Sequence, residues 1–186
     1  MLKPAQTEQT ILNEIMQRWS SKRFGDRSVD AQDISRLLEA ARWAPSSRNA
    51  QPWRFIVSQR GDTAFEKIVS AMPESNSQWA SRASHLIVAV SYEAEPAANA
   101  HAQYDVGQSV AYMILQATSM GISTHQIGGF DRATIKDKFE LDSTLEPMAV
   151  VALGYFDEKV ELPENLMKRE LGARIRHPLE EILINN

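Results

Sequence analysis

The apolar run at residues 86–90, LIVAV, constrains the fold more than any other stretch of the sequence. Side chains of a strand alternate between its two faces, so a strand is apolar at every position only when both faces are covered. The run is also far shorter than the roughly 20 residues that a membrane-spanning helix needs. It therefore predicts the inner strand of a sheet that carries other elements on both sides.

Helices and strands alternate along the rest of the chain. Apolar residues at three- and four-residue steps predict a helix over residues 10–19 and a second one from an N-cap at Asp30, which Pro45 limits. The other predicted elements are a strand at 54–58, a helix at 62–72, a helix at 99–120 ended by Gly121, a strand at 124–127, a helix after an N-cap at Asp131, and a strand at 148–153. This order predicts an α/β layered domain around one sheet and leaves the strand order open.

The sequence after Gly154 is a polar tail that ends in an apolar stretch at residues 179–184. Residues beyond about 157 are too polar to form a core of their own. An exposed apolar stretch at the end of such a tail needs a surface to pack on. We expect that surface to belong to a second copy of the chain.

Length and composition fit one globular domain over residues 1–186, with 43% hydrophobic and 24% charged residues. The chain has no cysteine, which excludes a disulfide or a thiolate nucleophile, and no secretory pattern at its N-terminus, so a cytoplasmic location is the default expectation. A net charge of −4 gives no general attraction to nucleic acid, and no membrane partner is expected. Any bound anion would have to be met by local positive charge.

Several common sites have no signature in this sequence. There is no G-x-G-x-x-G, no P-loop and no G-x-S-x-G, and the four histidines lack metal-ligand spacing, so no metal site is expected. A Ser-His-Asp triad stays open, because its members meet only in space. With little chemistry evident in the side chains, a cofactor would have to supply it.

Two basic clusters and one polar loop suggest which cofactor. Arg18, Ser20 and Lys22 stand at the end of the first helix and can converge on a phosphate if the chain leaves the helix there, although basic residues in a last turn also complement the helix dipole. Arg174 and Arg176 alternate, so they share one side of the tail, where they could also be merely solvated. The loop within residues 44–57, APSSRNAQPWRFIV, carries more hydrogen-bonding groups than a turn requires.

Together these segments closely resemble the nitroreductase family of FMN-dependent oxidoreductases. Later segments agree with that family in chain order: NSQW at 76–79, DVG at 105–107, QIGGFD at 126–131, ALGY at 152–155 and RIRHP at 174–178. The likeness spans nearly the whole chain.

The resemblance implies an α+β fold with a central, mostly antiparallel sheet flanked by helices. It also implies a homodimer with FMN at the subunit interface and a C-terminal segment exchanged between the subunits. Arg18, Ser20 and Lys22 match a motif that holds the phosphate and the ribityl chain, with Lys22 near the pyrimidine edge of the flavin. Arg174 and Arg176 match the basic pair at the phosphate.

The polar loop and two glycines match the positions around the flavin ring. In the family the loop is laid along the ring by the other subunit, and backbone positions matching Gly128 and Gly129 face flavin N5 and O4. No catalytic side chain is implied, since the flavin carries the chemistry. The expected cofactor-binding residues are Arg18, Trp19, Ser20, Lys22, Pro45, Ser46, Ser47, Asn49, Gln51, Asn76, Ile127, Gly128, Gly129, Arg174 and Arg176.

The implied activity is hydride transfer from NAD(P)H through flavin N5 to a small, electron-poor acceptor, such as a nitroaromatic or a quinone, in alternate half-reactions. Two alternatives stay open: a flavin-dependent dehydrogenase or dehalogenase of the same fold, and a non-enzymatic flavin-binding protein. The sequence departs from some relatives at Trp79, where they carry a lysine, and in the short Ala-rich segment 92–104, where larger members insert helices. Substrate preference therefore does not transfer from those members.

Overall fold

The structure is a computed structural model, and it describes residues 3–93 and 99–184. The helices are α1 (Asn13–Gln17), α2 (Ala31–Arg42), α3 (Thr63–Val69), α4 (Glu74–Ala80), α5 (Asn99–Ser119), α6 (Arg132–Lys138), α7 (Glu164–Leu171) and α8 (Leu179–Ile182). The strands are β1 (Trp53–Gln59), β2 (His85–Tyr92), β3 (Ser123–Ile127) and β4 (Leu145–Gly154).

The four strands form one sheet in the order β1-β2-β4-β3, and each neighbouring pair is antiparallel. β2 is an inner strand, which confirms the prediction for residues 86–90. Its side chains alternate between two cores, Leu86 and Val88 in one and Ile87 and Ala89 in the other. With antiparallel pairing throughout the sheet, the fold is α+β, as the resemblance implies.

The two cores lie on opposite faces of the sheet. On one face, α3, α4, α6 and α7 bury Phe65, Trp79, Ile135 and Leu166. On the other face, α2 and α5 pack their apolar sides, with Met113 fully buried. This arrangement brings Trp79 of α4 against His125 of β3 on the first face.

Several helix boundaries follow the predicted caps. The Asp131 carboxylate accepts from the Thr134 amide at 3.1 Å at the start of α6, as predicted. Gly121 follows α5 with a φ of +71°, the left-handed conformation that a glycine adopts without strain, and this confirms its predicted role. Neither α5 nor any other helix within residues 3–93 and 99–184 has the length and apolar character to cross a membrane.

Three parts of the prediction are wrong in detail. The first helix covers only residues 13–17 of the predicted 10–19, and its apolar residues Leu12 and Ile15 are 64% and 43% exposed. The predicted helix at 62–72 ends at Val69, and a separate helix, α4, follows it. The polar tail contains α7, which buries Leu166 in the core, so part of the tail packs on its own chain.

Candidate functional site

A cavity of about 420 Å³ lies between the chain that follows α1 and the chain that follows α7. One acidic side chain, Glu170, lines it together with the basic residues Lys3, Arg18, Arg169, Arg174 and Arg176. Trp19 and Ser20 complete its α1 side. An excess of positive charge in a concave site favours an anionic ligand.

Arg18 is the first residue after α1, and its backbone is extended rather than helical. Its guanidinium donates to the Ser20 hydroxyl at 3.2 Å. Burial lowers the pKa of Arg18, and the nearby charges of Arg174 and Arg176 lower it further. Three guanidinium groups held this close repel one another, and a bound anion would relieve that repulsion.

Segments near the two ends of the chain, residues 3–16 and 170–174, shape the cavity by forming hydrogen bonds with each other. The Lys3 ammonium donates to the Glu170 carbonyl at 2.6 Å and to the Gly172 carbonyl. In return, the Arg174 guanidinium donates to the Met16 carbonyl at 3.0 Å and to the Lys3 carbonyl. Arg174 therefore reaches Arg18 within one chain, and no crossing of the tail is needed to bring them together.

A second group of residues lies beside the cavity, where α4 meets β3. The Lys22 ammonium is 5.8 Å from the centroid of the buried Trp79 ring, and that ring is 4.5 Å from the His125 ring. Asn76, on the same helix as Trp79, donates to the Gly129 carbonyl at 2.8 Å. Lys22 thus shares one neighbourhood with Asn76 and the two glycines that follow β3.

Burial lowers the pKa of two groups in this neighbourhood. It lowers the pKa of Lys22, and the negative charge of Glu170 partly opposes that change. Burial, followed by the charge of Lys22, lowers the pKa of His125 to about 4. His125 is therefore neutral at pH 7, and its Nδ1, 3.1 Å from the Ser21 carbonyl oxygen, carries the proton that it donates there.

The two glycines after Ile127 differ in what surrounds them. A Cβ on Gly128 would meet no atom within 4 Å, whereas one on Gly129 would come within 3.0 Å of the Asn76 amide nitrogen. Gly129 therefore permits the bond from Asn76, and Gly128 faces open space. A flat ligand could approach the backbone at Gly128 closely.

The polar loop is held in a strained conformation. Arg48, Asn49 and Gln51 have φ values of 52°, 56° and 47°, a region that costs non-glycine residues of order 1 kcal/mol each. The loop is fixed by the Ser47 amide, which donates at 2.9 Å to the buried carboxylate of Asp105 on α5. Such strain persists only where the surroundings enforce it, and it is typical of binding loops.

Comparison with known proteins supports a family assignment. Residues 15–155 match the sequence profile of the Nitroreductase family. The chain belongs to the nitroreductase family.

Relatives and solved structures agree with this assignment. The chain is 25% identical over 180 residues to a Streptococcus pyogenes protein provisionally named as an NAD(P)H nitroreductase, covering 77% of this chain and 88% of that one. A solved oxidoreductase containing FMN superposes with a TM-score of 0.88 at 28% identity, covering 96% of this chain and 93% of its own. A protein from Desulfovibrio desulfuricans that is provisionally described as a nitroreductase, solved in complex with FMN, superposes with a TM-score of 0.76 at 26% identity, covering 97% of this chain and 98% of its own.

For this nitroreductase-family chain, the residues predicted for a cofactor site fall into three groups. Arg18, Trp19, Ser20, Arg174 and Arg176 line the cavity. Next to Trp79 and His125 lie Lys22, Asn76, Ile127, Gly128 and Gly129. The loop residues Pro45, Ser46, Ser47, Asn49 and Gln51 follow α2, and the Ser47 amide ties the loop to α5.

Among the described residues, the cavity lining includes none of that loop. The loop's delivery to the site by a second subunit therefore stays a prediction. Part of the Ala-rich segment, residues 94–98, lies outside the described residues.

Sequence reasoning missed several residues of this region, and four of them make contacts that shape it. Lys3 and Glu170 line the cavity, His125 packs on Trp79, and Asp105 anchors the loop. Only Asp105 had a signal, because it stands in the DVG segment that the family shares. The other three act through contacts that no local pattern indicates.

Proposed function

We propose that this chain is an FMN-dependent NAD(P)H oxidoreductase that reduces small, electron-poor acceptors such as nitroaromatics and quinones. FMN is its cofactor, NAD(P)H its electron donor, and residues 1–186 form a single FMN-binding domain. When bound, FMN supplies the hydride transfer that links donor and acceptor. One observation carries the proposal: Arg18, Arg174 and Arg176 meet in a cavity beside an open, glycine-lined surface.

The cavity suits the phosphate of FMN. A phosphate monoester carries nearly two negative charges at neutral pH, and guanidinium groups offer fork-shaped donors to its oxygens. Arg18, Arg174 and Arg176 would supply those donors, with the Ser20 hydroxyl beside Arg18. The single acidic residue of the lining, Glu170, has its carboxylate engaged by Ser21 and the Lys22 amide.

The surface beside the cavity suits the flavin ring. The Gly128 and Gly129 backbone would face the ring, and the bond from Asn76 to the Gly129 carbonyl holds that backbone in place. Lys22 would place a positive charge at the pyrimidine edge, where it favours the negatively charged reduced form. These residues bind and orient, and no side chain is needed as an acid or a base.

A homodimer would complete the site. Tyr104 and Tyr112 on α5 are 69% and 45% exposed, and the apolar tail residues Leu179, Ile182 and Leu183 are also exposed. A second copy would cover these side chains and would bring its own loop, anchored on α5, to the flavin ring. In this arrangement the exchanged segment is the chain after His177. A cytoplasmic location completes the proposal.

Two measurements on the purified protein test this function. The released chromophore is identified, and NADH and NADPH oxidation are followed with and without a nitroaromatic or a quinone. FMN as the chromophore, with oxidation that depends on the acceptor, is the expected result. Bound FMN with no oxidation in the presence of either acceptor would reject the oxidoreductase and leave a flavin-binding protein.

A further inference from the structure

Ser21 lies between Ser20 and Lys22, at a position that the binding motif leaves as a spacer. It is fully buried, and its hydroxyl donates to the Glu170 carboxylate at 2.6 Å. The same hydroxyl accepts from the Arg23 amide at 3.0 Å. The Lys22 amide also reaches the Glu170 carboxylate, at 3.2 and 3.3 Å from its two oxygens.

The other side of Ser21 is held by β3. His125 donates from Nδ1 to the Ser21 carbonyl, 3.1 Å away, and the His125 ring packs against Trp79. Ser21 is therefore fixed from two elements, with its hydroxyl on α7 and its carbonyl on β3. The contact with Glu170 spans 149 positions of the sequence and that with His125 spans 104.

Fixing Ser21 also fixes the direction of its neighbours. Successive side chains of an extended chain point to opposite sides. Consistent with this alternation, Ser21 is buried, Ser20 is exposed and Lys22 is half-buried. Ser20 then lines the cavity, and the Lys22 ammonium lies at the Trp79 ring.

We propose that Glu170 and His125 are positioning residues that act through Ser21 to aim Ser20 and Lys22 at the FMN site. The inference rests on the proposed function, because Ser20 and Lys22 would be directed toward a bound FMN. The hydrogen bond from the Ser21 hydroxyl to Glu170 and the one from His125 to the Ser21 carbonyl form a clamp on Ser21. This clamp exists in the protein without FMN. The two can therefore be tested apart.

The burial of Glu170 supports this role. Glu170 is only 3% exposed. Burying a carboxylate costs little free energy only when hydrogen-bond donors satisfy its oxygens. The donors here are Ser21 and the Lys22 backbone, both in the segment that carries the motif. Hydrogen bonds to a charged acceptor are about twice as strong as neutral ones, which suits a carboxylate to holding a short extended segment.

Hydrogen exchange on the protein without FMN tests the clamp. Ser21→Ala, Glu170→Gln and His125→Phe each remove part of it, and Glu164→Gln removes an exposed acid from the start of the same helix as a control. We expect amide exchange over residues 18–23 to be about tenfold faster in the three clamp variants and unchanged in the control. Unchanged exchange in all three clamp variants would overturn the clamp.

The midpoint potential of bound FMN tests whether the Lys22 ammonium is directed at the flavin. Lys22→Met should lower the potential, because the positive charge favours the reduced form. Ser21→Ala should lower it by a smaller amount and should add nothing to the Lys22→Met shift, since both changes act on the same charge. Ser21→Ala should also weaken FMN binding about tenfold.

Two results would contradict the positioning role. Ser21→Ala and Lys22→Met shifts that simply add would show that Ser21 acts independently of Lys22. A Ser21→Ala protein with lower thermal stability but unchanged potential and FMN affinity would show a purely structural role. If the wild-type protein bound no FMN, the proposed function and the aim would fail, and the exchange measurement would still decide whether the clamp exists.

Discussion

The side-chain amide of Asn76 donates a hydrogen bond to the Gly129 carbonyl oxygen at 2.8 Å, across 53 positions of the sequence. The bond joins α4 to the turn after β3, and a Cβ at position 129 would lie only 3.0 Å from the Asn76 amide nitrogen. It therefore orders a glycine backbone whose neighbour, Gly128, faces open space. The proposed flavin surface is built on this contact.

A methyl group at position 128 should separate ligand binding from folding. Since a Cβ there meets no protein atom within 4 Å, Gly128→Ala should leave the melting temperature of the protein without FMN nearly unchanged. It should weaken FMN binding, measured by quenching of flavin fluorescence, because the methyl group occupies the space next to the ring. Equal FMN affinity in Gly128→Ala and wild type would place the flavin elsewhere.

Removal of the Asn76 amide should have a different effect. Asn76→Ala deletes one exposed hydrogen bond, worth about 1 kcal/mol, so the melting temperature should fall slightly. FMN affinity should fall by about fivefold, because the glycine turn is no longer held. The result is checked by thermal unfolding and FMN titration on one preparation, and a variant with full affinity would show that the bond does not order the site.

The phosphate should depend on Arg176. Arg176 is exposed and lines the cavity, and its one side-chain bond is to the adjacent Ile175 carbonyl, so Arg176→Ala should fold normally. We expect FMN binding to weaken roughly tenfold and riboflavin binding, which involves no phosphate, to stay the same. Arg36→Ala, which removes an exposed arginine paired with Asp33 on α2, is the matched control. An equal loss for FMN and riboflavin would exclude a phosphate contact.

The pH dependence of stability should report on His125. Its pKa of about 4 in the folded protein lies below the ordinary value of 6.5, so the unfolded chain binds the extra proton first as the pH falls. The free energy of unfolding should therefore decrease between pH 6.5 and pH 4, by about 3 kcal/mol from this residue. Above pH 6.5 the contribution is complete.

Urea unfolding of wild type and His125→Asn across this pH range checks the effect. Asparagine keeps an N–H donor for the Ser21 carbonyl and does not titrate. The difference in unfolding free energy between the two proteins should be constant above pH 6.5 and should change below it. Parallel curves down to pH 4 would contradict a neutral, half-buried His125.

The strands could be predicted from the sequence because their signal is local. Residues 86–90 are apolar on both faces, and β4 contains a second apolar run. All four predicted strands overlap the observed ones, including the mostly polar β3. The helices α4 and α7 lack such a signal. In α4 only Trp79 and Ala80 are buried, and in α7 one of the two buried residues is the charged Glu170.

The residues of the site also divide into those with a signal in the sequence and those without one. The motif identified Arg18, Ser20 and Lys22 because their spacing is a feature of the sequence itself. Glu170 and His125 could not be found, because their role depends on meeting Ser21 after the chain has folded. The first helix was predicted too long for a related reason: Ile11, Leu12 and Ile15, which the spacing placed on one apolar face, are exposed among the described residues of this chain.

The tail should control assembly. Removal of residues 177–186 keeps α7, Arg174 and Arg176 but deletes the exposed apolar residues Leu179 and Ile182. Sedimentation should show a weaker dimer, and FMN affinity should become dependent on protein concentration, because a ligand bound by the assembled form is linked to assembly. A truncated protein as dimeric as the full chain, with equal FMN affinity, would show that the tail does not hold the dimer.

Single-turnover reduction of the FMN-loaded protein tests the central claim most directly. The loaded protein is mixed without oxygen with NADH or NADPH, and a quinone or a nitroaromatic is added afterwards. The account predicts that at least one nicotinamide bleaches the yellow absorbance of the flavin and that the acceptor restores it in stoichiometric amount. A flavin that stays yellow with both NADH and NADPH would contradict the account.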